Sequence, residues 1–147
     1  MNTNNYCYTT EGGICVSRTI TKVSIETTMT EILSHLDSYR GGLFTSSYEY
    51  PGRYKRWGIG FVNPPLELAT CGYTFTLTAL NERGIVLVSH LAERLYEHPQ
   101  LQSVVVKQRC ITGSVQRIKR LFSEQEWSKQ PSVFSIVREI LRIFHSQ

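Results

Sequence analysis

The sequence predicts an α+β fold, in which helices pack on a mainly antiparallel sheet, and three observations carry that prediction. Gly12-Gly13 separates two segments rich in Tyr, Thr, Val and Ile, as in a β-hairpin. Residues 73–80 alternate apolar and hydroxyl side chains, which is typical of a half-buried strand. Residues 133–144 repeat apolar side chains at helical spacing. The length of 147 residues is that of one domain, spanning residues 1–147.

The first elements are a hairpin and a helix. The pattern predicts strands over residues 6–10 and 14–25, because Gly-Gly supplies the positive φ that a tight turn needs. A helix follows, since Thr28 and Glu31 fit a capping box. Its apolar face is formed by Met29, Ile32, Leu33 and Leu36, and Gly41-Gly42 is predicted to end it.

The middle of the chain is predicted to form strands. Residues 43–50 and 53–63 are predicted strands on either side of a turn at Pro51-Gly52, and Pro64-Pro65 ends the second. After the alternating strand 73–80, residues 81–84 are predicted to form a hairpin loop. That loop leads into a short apolar core strand over residues 85–88.

The last third begins with a short helix over residues 89–98, which Pro99 ends, and a strand over residues 103–109. The structure of residues 111–116 stays open. Ser132 is the predicted N-cap of the final helix. The apolar stripe of this helix consists of Val133, Ile136, Val137, Ile140, Leu141 and Phe144. Burial of these side chains requires the preceding strands, a missing segment or a partner to cover them.

Composition excludes several classes of protein. Apolar residues make up 41% and charged residues 19% of the chain, which is the balance of a folded protein. No apolar run approaches the roughly 20 residues of a membrane helix. The polar start lacks a signal peptide, so a cytoplasmic protein is expected. Five cations without an intervening acid favour a solvated face over a nucleic-acid interface: Lys107, Arg109, Arg117, Lys119 and Arg120.

Motifs of catalysis and metal binding are missing from the sequence. It contains no nucleophile elbow, P-loop, dinucleotide-binding glycine pattern or zinc-protease motif. The four histidines are scattered, and no Cys-x-x-Cys pair occurs, so reduced thiols and no metal site are expected. The four cysteines are Cys7, Cys15, Cys71 and Cys110, of which the first two could face each other across the hairpin.

One hydroxyl-rich segment is a candidate binding site. Thr45-Ser46-Ser47-Tyr48 can hydrogen-bond a small polar ligand, although capping of local backbone is favoured on spacing alone. Arg53, Lys55 and Arg56 follow across the turn and suit a carboxylate ligand. A basic strand edge that prevents sheet-to-sheet association explains the same cations equally well.

The same region carries a family resemblance. Residues 43–46, Leu-Phe-Thr-Ser, are similar to the Leu-Leu-Glu-Ser segment of anthranilate synthase large subunits. The form in which the chorismate-using and glutamine-using parts are fused is the most similar. Further matches follow in the same order, least clearly over residues 97–123: SYEYPGRY at 47–54, IGFVNPPLEL at 59–68, ALNERG at 79–84 and KQPSVFS at 129–135.

The resemblance implies the N-terminal, feedback-regulatory region of that enzyme. Tryptophan would be its allosteric ligand, bound by Phe44, Thr45, Ser46 and Lys55. Thr45 stands where the family has glutamate, so it lacks the charge that would contact the ligand's ammonium group. The complete enzyme is a lyase that uses magnesium and converts chorismate and glutamine into anthranilate for tryptophan biosynthesis. Its chorismate-binding and amidotransferase domains are expected to be absent here, which leaves no catalytic residue and no cofactor in this chain.

The sequence leaves three alternatives to this interpretation. The first is a stand-alone tryptophan-binding module, and the second is a fragment of a related chorismate enzyme of phenazine, folate or siderophore pathways. The third is a basic nucleic-acid-binding domain. A chorismate-binding domain acting in trans is the expected partner of the favoured interpretation, with no role for a membrane.

Overall fold

A computed structural model of the chain describes residues 3–46, 57–117 and 131–146. Within these ranges the order of elements is β1 (Thr3–Thr9), β2 (Cys15–Thr21), α1 (Ile25–Leu36), β3 (Gly41–Thr45), β4 (Gly58–Val62), β5 (Leu66–Cys71), β6 (Thr74–Ala79), α2 (Glu82–Tyr96), β7 (Leu101–Lys107), β8 (Cys110–Val115) and α3 (Val133–Phe144). Three helices accompany antiparallel sheets, so the predicted α+β class is confirmed.

The described residues cluster into two compact units. The first contains residues 3–4, 19–46 and 57–64, and the second contains residues 5–18, 65–117 and 131–146. The expectation of one domain over residues 1–147 stays a prediction. No helix of the described residues is long and apolar enough to cross a membrane.

Strands β1 and β2 form the predicted hairpin. The backbone N–H of Thr10 donates to the carbonyl oxygen of Ile14 at 2.9 Å, and Gly13 has a φ of 85°, which explains the glycine. The second strand ends at Thr21 rather than at residue 25. It is shorter than predicted because the chain from Ile25 onward is helical.

The structure corrects both predicted ends of α1. The helix begins at Ile25 after Ser24, not at Thr28, whose Oγ1 instead donates to the carbonyl oxygen of Ser24 at 2.8 Å inside the first turn. It ends at Leu36, and Gly41-Gly42 opens β3 instead of closing the helix. Close packing explains the glycine here, since a Cβ on Gly41 would lie 2.6 Å from Cδ2 of Leu36.

Strands β3 and β4 form a two-stranded antiparallel sheet that packs on α1. They correspond to the strands predicted over residues 43–50 and 53–63. Strand β3 begins two residues earlier than predicted and ends at Thr45, whereas β4 is limited to Gly58–Val62. The predicted turn at Pro51-Gly52 lies outside the described residues.

The second unit is built on a four-stranded antiparallel sheet in the order β5-β6-β8-β7. The alternation predicted for β6 is confirmed, since Phe75, Leu77 and Ala79 are 2%, 1% and 4% exposed. Strand β7 corresponds to the predicted strand 103–109 and begins two residues earlier. Residues 111–116, left open by the sequence, lie almost entirely in β8 (Cys110–Val115), which pairs with both β6 and β7.

The loop predicted over residues 81–84 and the strand predicted over 85–88 are wrong. Both belong to α2, which also takes in the short helix predicted over residues 89–98. The side-chain oxygen of Asn81 caps α2 by accepting a hydrogen bond from the backbone N–H of Gly84 at 3.1 Å. Val88, Leu91 and Leu95 recur at helical spacing and are at most 1% exposed, so this face enters the core.

The final helix, α3, is confirmed after Ser132, whose backbone N–H donates to Oγ of Ser135 at 3.3 Å. Its buried face differs from the predicted stripe. Ile136 and Ile143 are 1% and 2% exposed, whereas Leu141, placed in the stripe, is 63% exposed. Val133, Ile140 and Phe144 are partly buried against the core. The buried face of α3 therefore includes Ile143, which the predicted stripe lacked, and excludes Leu141.

Candidate functional site

The predicted binding residues lie at the end of β3, in the first unit. In the β3–β4 register, Phe44 pairs with Ile59 and Thr45 pairs with Gly58. One step further, the backbone N–H of Ser46 donates to the carbonyl oxygen of Trp57 at 2.9 Å. Phe44 and Thr45 are therefore the last two residues of β3, and Ser46 continues the pairing by one residue. Lys55 lies outside the described residues, as do Ser47, Tyr48, Arg53 and Arg56.

The two faces of the β3–β4 sheet have different neighbours. One face packs on α1, because a Cβ on Gly60 would lie 2.7 Å from Cδ1 of Ile32 and 3.1 Å from Cδ1 of Leu43. Leu43 pairs with Gly60 and lies on that face. Since successive side chains of a strand point to opposite faces, Thr45 shares the face of Leu43, and Phe44 and Ser46 belong to the other face.

The face away from α1 exposes four large apolar side chains, which we call the apolar shelf. They are Phe44, Trp57, Ile59 and Phe61, and they are 59%, 55%, 62% and 47% exposed. Gly42 lies beneath two of the rings, because a Cβ there would be 3.3 Å from Cε2 of Phe44 and 3.2 Å from Cε1 of Phe61. Phe44 and Phe61 therefore flank Gly42, and Trp57 lies opposite Ser46.

Sequence analysis missed three members of the shelf. Trp57, Ile59 and Phe61 have a spacing of two residues, which indicates one face of a strand. Their position opposite Phe44 and Ser46 depends on the register of β4 against β3. That register is not evident from the residues alone, because both faces of this short ribbon carry apolar side chains.

Two other kinds of candidate site, a surface depression and a metal site, have less support than the apolar shelf. Glu26, Thr30 and Ser34 line a shallow depression on α1, but every lining residue belongs to that one exposed helix. No group of three or more His, Cys, Asp or Glu side chains suited to a metal ion occurs in the parts of the chain that the structure describes.

The four cysteines are free thiols. Cys7 is adjacent to Ser17, with 3.8 Å between Sγ and Oγ, rather than opposite Cys15.

Two cations of the predicted basic face, Arg109 and Arg117, contact neighbouring side chains. Arg109 lies 3.9 Å from a carboxylate oxygen of Glu82. The guanidinium carbon of Arg117 lies 4.4 Å from the centre of the Tyr73 ring, a cation–π contact. Lys107 is exposed, and Lys119 and Arg120 lie outside the described residues. The solvated basic face stays a prediction.

The fold is that of an α+β protein with an exposed apolar face on a two-stranded sheet. In sequence the chain is 36% identical over 137 residues to a protein named anthranilate synthase from Azospirillum brasilense. The alignment covers 93% of this chain, so the similarity to that protein extends along nearly the whole chain. It spans about a fifth of that relative, 19% of its length. No protein-family model matches the chain, and no solved structure matches it.

Proposed function

We propose that this chain supplies the feedback-regulatory and structural portion of an anthranilate synthase and is not catalytic by itself. The observation that carries this proposal is the relationship to anthranilate synthase along nearly the whole chain. The exposed end of β3 supports it, because Phe44 and Ser46 lie together on the solvent-facing side of a sheet. We place the protein in the cytoplasm with the rest of that biosynthetic activity.

In this proposal the site residues have separate roles toward tryptophan. The Ser46 hydroxyl can both donate and accept a hydrogen bond and holds the polar end of the ligand. The Phe44 ring contacts the apolar end, and Lys55 is assigned to the ligand's carboxylate. Thr45 offers a neutral hydroxyl, so it contributes less to binding the ammonium group than a carboxylate would.

The chemical step belongs to a partner in this proposal. A chorismate-binding domain supplied in trans would hold magnesium and carry out the conversion of chorismate and an amine donor into anthranilate. This chain would complete the shell of that enzyme and make its activity respond to tryptophan.

Two assays test the proposal. The chain is first incubated with chorismate, magnesium and ammonia, and anthranilate fluorescence is expected to stay at the level of the blank. An anthranilate synthase from which the matching region has been removed is then added. Recovery of synthase activity that tryptophan inhibits supports the proposal. Fluorescence from the chain alone, or recovered activity that tryptophan leaves unchanged, would contradict it.

A second candidate function is a stand-alone tryptophan-binding module. The observation that favours it is the location of Phe44 and Ser46 within one compact unit, on a face that adjoins three further large apolar side chains. Calorimetric titration separates the two functions. Micromolar binding of tryptophan by the chain alone favours the module, whereas tight binding that requires the added partner favours the regulatory portion. The product made by the complemented enzyme also distinguishes anthranilate synthesis from the related phenazine, folate and siderophore reactions.

A further inference from the structure

We draw no further inference here: the strongest candidate, the two exposed thiols of Cys7 and Cys15 on neighbouring strands of the β1–β2 hairpin, carries nothing, because the Sγ of Cys7 lies 3.8 Å from the Oγ of Ser17 and no third metal-ligating side chain joins the two thiols in the part of the chain that the structure describes to indicate what they would bind.

Discussion

Gly12 and Ile143 are joined by a hydrogen bond, in which the backbone N–H of Gly12 donates to the carbonyl oxygen of Ile143 at 3.0 Å. The N–H of Glu11 likewise donates to the carbonyl oxygen of His145 at 2.8 Å. The turn of the β1–β2 hairpin thus satisfies carbonyl groups at the C-terminal end of α3, which lack partners inside the helix. Nε2 of His90 donates to the carbonyl oxygen of Gly12 at 2.8 Å, so α2 also holds this turn.

Substitution of Gly12 by alanine is expected to destabilise the second unit. A Cβ at this position would lie 2.6 Å from the carbonyl oxygen of Ile143 and 3.0 Å from its Cα, so the turn must move away from α3. Overpacking of this kind costs about 1–3 kcal/mol in the free energy of unfolding, which urea denaturation measures. Gly58→Ala is the control, because a Cβ there has its nearest neighbour at 3.7 Å. Equal stabilities of the two variants would show that the turn does not dock on α3.

The corrected face of α3 gives a second prediction. Ile136→Ala should lower the free energy of unfolding by about 2–4 kcal/mol, because Ile136 is 1% exposed in the core cluster. Leu141→Ala should change it by less than about 0.5 kcal/mol, because Leu141 is 63% exposed. Denaturation of both variants under the same conditions compares them. If Leu141→Ala lowered the free energy of unfolding more than Ile136→Ala does, the stripe predicted from the sequence would be the buried one.

The N-cap of α2 gives a third prediction. Asn81→Ala removes the side-chain oxygen that accepts from the N–H of Gly84, and should cost about 0.5–2 kcal/mol in the free energy of unfolding. Arg83→Ala, an exposed change in the same first turn, should have little effect. If residues 81–84 were instead the hairpin loop predicted from the sequence, the two variants would be equally stable. Amide hydrogen exchange of residues 85–88 provides an independent check of the helix.

The pair Glu139–Arg142 gives a prediction about pH. Hydrogen bonds of 2.6 and 3.0 Å from Arg142 hold the pKa of the Glu139 carboxyl below its ordinary value of 4.5. A depressed pKa means that the pair stabilises the folded state above pH 4.5, and that this contribution is lost as the pH falls through the folded-state pKa. Arg142 is largely exposed, so solvent screening keeps this contribution small.

Denaturation as a function of pH measures that contribution. The difference in stability between the unaltered chain and Glu139→Gln should be present at neutral pH and shrink as the solution becomes acidic. A difference that stays constant from neutral to acidic pH would contradict the assigned ion pair.

Local patterns predicted the parts of this fold that local chemistry determines. Gly12-Gly13 marked the hairpin, the alternation around Leu77 marked β6, and Ser132 marked the start of α3. The error at residues 85–88 has a physical cause. A short apolar run suits a buried strand and a buried helix equally well, and Val88 and Leu91 reveal the helix only when the following turn is considered with them.

The site was predictable only in part for a similar reason. The family resemblance selected Phe44, Thr45 and Ser46, which lie together because Phe44 and Thr45 end β3 and Ser46 is the next residue. Pairing of Ser46 with Trp57 depends on the register of a non-local strand pair, which composition and periodicity do not specify. Thr45 and Phe44 also face opposite sides of the sheet, a distinction that appears only once the side packed on α1 is known.

The most direct test of the central claim is the inhibition of the complemented synthase by tryptophan, compared between the unaltered chain and Ser46→Ala. Loss of a hydrogen bond to the charged end of the ligand should raise the half-inhibitory concentration about tenfold or more, with unchanged activity in the absence of tryptophan. Ser34→Ala, an exposed serine on α1, is the control and should behave as the unaltered chain does. Identical inhibition with all three chains, or activity that ignores tryptophan throughout, would contradict the account.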